Sequence, residues 1–176
     1  MAAYRFITHW HLEAPLDRVY DAVFHSLEWP HWWQGAEAVE ECDPGDADGI
    51  GSIRRYTWKS RLPYRIVFEA CTTRIERMAV LEATVGGDLQ GVGRWLFFRD
   101  GELATVRYEW CVETTKRWMN AVAPVARPAF RRNHDWLMQR GAEGLARKLN
   151  ARLVRVTHAE APAGPARLRM PATGRR

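Results

Sequence analysis

The chain has 176 residues, 47% of them hydrophobic and 27% charged, with a formal net charge of +5; that length suits one domain with a core of its own. No apolar run approaches the roughly 18 residues of a bilayer span, and the first ten residues, which include Arg5, Thr8 and His9, lack the apolar stretch of a secretory leader. Cys42, Cys71 and Cys111 form no CxxC pair, and an odd number of cysteines argues against a disulfide framework and for a cytoplasmic location.

Residues 4–12 alternate, with Phe6, Thr8, Trp10 and Leu12 on one face and Arg5, Ile7, His9 and His11 on the other; this period of two predicts a strand. Pro15 follows, suited to a first helical position. Leu16, Val19, Tyr20, Val23, Phe24 and Leu27 then form one helical stripe. The helix is expected to end near Glu28-Trp29-Pro30, before a short aromatic segment. From Ala36 to about Thr115 the chain reads as a run of strands: 37–42, 52–59, 64–75, 78–85, 91–98 and 105–114. Residues 43–51 are dense in turn formers, and Asp100-Gly101 marks a hairpin. In the last strand Val106, Tyr108, Trp110 and Val112 share one face, while Arg107, Glu109, Cys111 and Glu113 share the other, so one side is predicted buried and one wet. From Lys116 onward the pattern is helical. Pro124 and Pro128 predict a kink or break, and Phe130, His134, Leu137, Gly141, Leu145 and Leu149 recur every three or four residues.

Residues 1–150 are therefore expected to form one domain. Residues 151–176 are expected to form a helix end followed by a basic, disordered tail. That tail holds six arginines against one glutamate, which accounts for the whole net charge. Strands grouped together, with helices at the ends, indicate an α+β fold rather than a wound parallel sheet. About seven antiparallel strands must curve around one long helix. A twisted sheet cannot meet a single helix everywhere, so a cavity is expected between them.

The order of these elements, the stretch Leu12-Glu-Ala-Pro-Leu-Asp-Arg-Val-Tyr20 and the proline-bearing terminal helix resemble the helix-grip superfamily. Its members include START domains, the birch-pollen allergen fold and polyketide cyclase/dehydrase-like (SRPBCC) proteins. Gly87-Asp-Leu-Gln-Gly-Val-Gly-Arg-Trp95, Val106-Arg-Tyr-Glu-Trp-Cys-Val112 and Asn133-His-Asp-Trp-Leu-Met-Gln-Arg-Gly141 are similar to the cyclase-like branch. The resemblance covers about residues 4–150. It implies a hydrophobic ligand cavity between sheet and last helix and no fixed catalytic set, because this fold carries many functions.

The expected ligand-contacting residues are Tyr56, Trp58, Phe68, Trp95, Phe97, Tyr108, Trp110, Phe130, Asn133, His134 and Leu137. Aromatic side chains of this kind either fill a core or line a cavity that stacks a ring system. His134 points at the sheet and needs a hydrogen-bond partner. Its ordinary role would be a core histidine bonded to a strand group; it is also the best candidate for a ligand anchor or a general acid/base. Arg54 shares a face with Tyr56 and Trp58, and outward or rim placement is favoured.

No cofactor and no metal site are expected. His9 and His11 have metal-compatible spacing but no third ligand. Asp46-Ala-Asp48-Gly49 lacks the closing glutamate of a calcium loop, and Gly91-Val-Gly93 is not a dinucleotide fingerprint. Two function classes follow from this sequence: a binder of a polyketide, isoprenoid, sterol-like or fatty acyl molecule, or a cyclase/dehydrase-type enzyme using the same cavity. A third would use an exposed Trp29, Trp32 and Trp33 with the arginine tail for protein interaction or transient membrane contact. No specific nucleic acid partner is expected, and outward Leu96 and Phe98 suit a homodimer.

Overall fold

The computed structural model describes residues 2–61 and 63–160, and within its last helix the side chains of residues 117–126 are outside the description. The chain begins with strand β1 (Ala3–Glu13), helix α1 (Leu16–Phe24), a 3-10 turn (Ser26–Glu28) and the short helix α2 (Trp29–Trp32). Six strands follow: β2 (Ala36–Asp43), β3 (Ile53–Lys59), β4 (Arg65–Glu76), β5 (Val80–Gly87), β6 (Leu89–Asp100) and β7 (Leu103–Thr114). Helix α3 (Arg117–Leu149) and strand β8 (Arg152–Glu160) complete it. The sheet has eight strands in the order β2-β3-β4-β5-β6-β7-β1-β8, every adjacent pair antiparallel. The α+β arrangement is the expected one, with one strand more than the sequence pattern predicts.

That extra strand corrects the expected tail. Residues 152–160 pair with β1 from Glu13↔Arg152 to Phe6↔Glu160, with a bulge between His11 and Leu12. Asn150 ends α3 in the left-handed conformation (φ 51°), a common helix stop, and Val154, Val156 and Thr157 suit a strand. Its arginines belong to an edge strand, where charge discourages pairing with another sheet; Arg152 forms an ion pair with Glu13 on β1. The rest of the expected tail, 161–176, lies outside the described residues.

Two other local expectations change. Helix α3 runs on through Pro124 and Pro128, so of the expected kink or break there is no break. Leu27 leaves the apolar stripe and is 41% exposed, because the helix stops at Phe24 and His25 (φ −82°, ψ 65°) shifts the phase before the 3-10 turn.

Register decides which side chains face inward. Tyr56 pairs with Phe68, Leu81 with Trp95, Trp95 with Tyr108 and Trp110 with Phe6, so successive strands place rings on the same concave face. The convex face carries charge. Arg94 bridges Glu82 and Glu109, and Arg107 joins Glu109; such exposed pairs contribute less than about 1 kcal/mol each. Phe98 also lies there, 42% exposed, and His9 and His11 stand beside Thr157 and Thr105. The Asp46 segment is a turn, its carboxylate accepting from the Asp48 and Ile50 amides.

Trp29 and Trp33 are interior, at 6% and 2% exposure, which removes the expected exposed tryptophan patch. They pack with Trp10, Trp58 and Trp95 at centroid distances of 4.9–6.2 Å, mostly tilted or edge-on, geometries that aromatic quadrupoles favour. The C-terminal half of α3 closes over this cluster. Met138, Ala142, Leu145 and Leu149 are buried, and the Trp33 Nε1–H donates to the Leu137 carbonyl at 2.8 Å. Close approach depends on two glycines: a Cβ at Gly141 would lie 2.6 Å from Trp33 Cζ2, and one at Gly144 would overlap the Trp32 carbonyl oxygen.

Gly144→Ala is therefore expected to destabilise the protein even though alanine is the better helix former by about 1 kcal/mol. Overlap with backbone costs roughly 1–3 kcal/mol, so the urea midpoint should fall. Gly86→Ala, where a Cβ meets nothing within 4 Å, should change stability by less than about 0.5 kcal/mol. Equal stability of the two variants would contradict this account of the helix seat.

Candidate functional site

Between α3 and the concave face lies a cavity of about 240 Å³. Its floor is the ring-bearing face of β3–β7 and β1, its roof Phe130, Asn133, His134, Leu137 and Met138 of α3. These five recur at the i, i+3, i+4, i+7, i+8 spacing of one helical face. Gly93 on β6 keeps the floor low: a Cβ there would lie 2.9 Å from the Trp110 ring and 3.2 Å from the Tyr108 hydroxyl. Exposed Pro44 on the β2–β3 loop also lines the space and places its mouth at that end of the sheet.

Ten of the expected residues line the cavity: Tyr56, Trp58, Phe68, Trp95, Tyr108, Trp110, Phe130, Asn133, His134 and Leu137. Phe97 does not. It shares the parity of Trp95 but lies two residues nearer the β6–β7 turn, where Tyr20 of α1 packs edge-on against it at 5.1 Å and leaves it 4% exposed. Parity fixes the face of a sheet, not the position along the strand. Tyr4, Phe6, Trp29 and Trp33 also line the space. Tyr4 and Phe6 were available from the alternation of β1; the two tryptophans come from a helix whose direction no local pattern sets.

Polar groups gather at two places. Near the mouth, the Arg54 Nη1 donates to the Ser26 hydroxyl at 2.9 Å and the Phe24 carbonyl at 3.3 Å, and Nη2 reaches Glu41 at 3.4 Å. Ser26 also shares a 2.9 Å hydrogen bond with the Tyr56 hydroxyl. Arg54 thus lines the cavity near its mouth, the rim placement of the two expected, held by the last carbonyl of α1 and the Ser26 hydroxyl.

The second group lies under α3. The His134 ring stacks on Phe6, centroids 4.5 Å apart. Among the described residues neither of its nitrogens has a hydrogen-bond partner, nor do the Asn133 Oδ1 and the Tyr4 hydroxyl. The strand partner expected for His134 is not found among them. Asp135 stands 3.7 Å from the His134 Nδ1 and 3.6 Å from the His158 Nδ1, beyond hydrogen-bond reach. The Thr8 hydroxyl meets the same His158 nitrogen at 3.3 Å. His158 could not be found by reading its segment as a tail.

Burial keeps these groups neutral. It lowers the pKa of His134 below the usual 6.5, with Asp135 opposing the shift, and lowers His158 likewise. It raises Tyr108 well above its ordinary value, raises Tyr56 against the hydrogen bond from Ser26, and pushes Tyr64 up to about 12. Under α3 a ligand would meet flat apolar walls and uncharged donors and acceptors, and near the mouth the Arg54 guanidinium paired with Glu41.

The fold, though not the sequence, has close parallels. No family model matches the chain, and no curated protein matches it in sequence. The aromatase/cyclase Zhui from Streptomyces sp. R1128 superposes with a TM-score of 0.69 at 12% identity, over 85% of this chain and 94% of that one. A START superfamily protein from Mycobacterium smegmatis gives 0.67 at 12% identity, over 83% and 97%. The di-domain aromatase/cyclase BexL of the BE-7585A biosynthetic pathway gives 0.66 at 16% identity, over 85% of this chain but 51% of that one, so this chain spans about half its length. Among the described residues no helix is long and apolar enough to cross a membrane.

Acid should destabilise the protein through His134 and His158. Their folded-state pKa values are lowered, so the stability of the neutral forms is complete above about 6.5 and is lost as pH falls through the depressed values. Urea unfolding between pH 8 and 5 should show that decline, and His134→Phe, which keeps the stack on Phe6, should flatten it. An unchanged slope in the variant would contradict the assignment. The sheet, helix and cavity give the chain a helix-grip fold, the fold it shares with these structures.

Proposed function

We propose that this protein binds one small hydrophobic molecule between α3 and the concave face of its sheet. The observation that carries the proposal is the wall itself. Trp58, Phe68, Tyr108 and Phe130 lie inside the fold yet keep accessible surface, and all four border the cavity. Side chains that fill a core pack against one another and lose such surface.

Burying roughly 300 Å² of ligand apolar surface would contribute on the order of 7 kcal/mol before association costs. That is enough for binding in the micromolar range or weaker without any reaction. The modest volume and planar walls favour a compact polyketide- or isoprenoid-sized ring compound over a sterol or a long acyl chain.

A second reading, a polyketide cyclase/dehydrase-type enzyme, draws support from the polar cluster under α3. Neutral His134, with Asp135 close behind it and Asn133 and Tyr4 beside it, provides several hydrogen-bonding groups along one stretch of the cavity. That is the minimum for general acid/base chemistry on a folded chain. Two of the similar structures carry aromatase/cyclase names. Turnover of a poly-β-keto substrate, lost in His134→Ala while binding persists, would establish it; binding without turnover would leave the carrier reading.

Trp29, Trp33, Trp58, Trp95 and Trp110 all border the cavity, so occupancy should change intrinsic fluorescence. Titration with a small aromatic such as naphthalene is expected to give saturable quenching. Ala70→Trp, which adds an indole on the floor, should weaken that binding by about tenfold or more while far-UV circular dichroism stays native. Linear, non-saturable quenching, equal in both proteins, would refute the proposal.

A further inference from the structure

The polar cluster under α3 narrows the class of ligand. Resting on the cavity-binding proposal above, we infer that the ligand is an uncharged ring compound bearing a hydroxyl group, held at Asn133, His134 and Tyr4. Four buried atoms of cavity-lining residues lack a partner among the described residues: the Tyr4 hydroxyl oxygen, the Asn133 Oδ1 and both His134 nitrogens. An unmet buried polar atom costs about 1–3 kcal/mol, so a ligand that satisfies several of them gains selectively.

The inventory sets what can do so. A neutral imidazole has one N–H donor and one bare nitrogen acceptor, the Asn133 Oδ1 accepts, and a tyrosine hydroxyl does both. A ketone or ether oxygen serves the donors alone and leaves the Asn133 oxygen unmet. A hydroxyl donates and accepts at once. If the Asn133 amide is turned over, presenting its NH₂, a hydroxyl still meets it.

Charge is unsuited to this place. Burial holds His134 neutral, and Asp135 stands 3.7 Å from its Nδ1, which disfavours a second anion. The nearby cations are engaged: Arg127 sits over the Tyr4 ring and donates to Glu160 at 2.9 Å, and Arg131 lies between Asp135 and Glu160. At the mouth, Arg54 reaches Glu41 and two oxygen acceptors through its Nη atoms, while its buried Nε has no partner among the described residues. Each of these guanidinium groups is already paired with a carboxylate of the protein. The neighbouring surfaces are rings, with His134 on Phe6, Phe130 edge-on to Tyr4 at 5.9 Å, and Phe68 tilted against Trp110 at 5.4 Å, so a flat ring fits beside the hydroxyl.

The test uses the full chain at pH 7.5 and three probes on one scaffold, naphthalene, 1-naphthol and 1-naphthoate, titrated by tryptophan fluorescence. The wild type is expected to bind 1-naphthol on the order of tenfold tighter than naphthalene, with 1-naphthoate weakest. His134→Phe and Asn133→Leu should each lower the ratio of 1-naphthol to naphthalene affinity, read within the same variant. Equal affinity for naphthalene and 1-naphthol in the wild type overturns the inference without any variant, as does 1-naphthoate binding tightest. A preference that survives both substitutions overturns it too. Binding of none of the three would instead refute the cavity-binding proposal, and this inference with it.

Discussion

The seating of α3 on Trp33 governs the rest of this molecule. At the C-terminal half of the helix, two glycines let the backbone approach the α2 segment so closely that the Trp33 indole and the Trp32 carbonyl occupy the places of missing side chains. The Trp33 hydrogen bond to the Leu137 carbonyl locks that approach. Toward its N-terminal half the helix presents Phe130, Asn133 and His134 instead of glycine and alanine, and there it borders open space. Tight packing at its C-terminal end and bulk at Phe130, Asn133 and His134 near its middle turn a helix over a sheet into the roof of a cavity.

The sheet supplies the complementary half. Six of its strands form a meander from β2 to β7, β1 returns beside β7, and β8 covers β1. Unshifted antiparallel register in the β3–β4 and β6–β7 pairs carries the inward parity from strand to strand, so rings appear in rows: Tyr56 beside Phe68, and Trp95 stacked on Tyr108 at 4.0 Å. β8 also ties the roof to the wall, because Arg127, Arg131 and Asp135 of α3 face Glu160 and His158 across a polar seam. His134 looks the other way, into the cavity, so adjacent residues on one helix serve the seam and the site.

Much of this was legible in the sequence because it is periodic. The alternation Val106, Tyr108, Trp110, Val112 gave the buried face of β7 directly, and the helical spacing from Phe130 to Leu149 gave the face of α3. Long-range facts were not legible. Phe97 obeys the same parity as Trp95, but only the position of α1 determines that Tyr20 covers one and not the other. β8 lacks clean alternation and was hidden behind its arginines; an edge strand buries too little for periodicity to mark it. The unmet state of His134 depends on which strand groups fail to reach it, a property of assembly that no local pattern holds.

The central claim is that the space between α3 and the sheet is a receptive site rather than unfilled core. A crystal structure of the protein grown with a brominated naphthol tests this most directly, since bromine can be located by anomalous scattering. The account places the bromine peak inside the fold, bounded by Trp95, Tyr108, Trp110 and Phe130, with α3 still seated on Trp33. A peak only on the outer surface, or side chains from floor and roof meeting across the space, would contradict it.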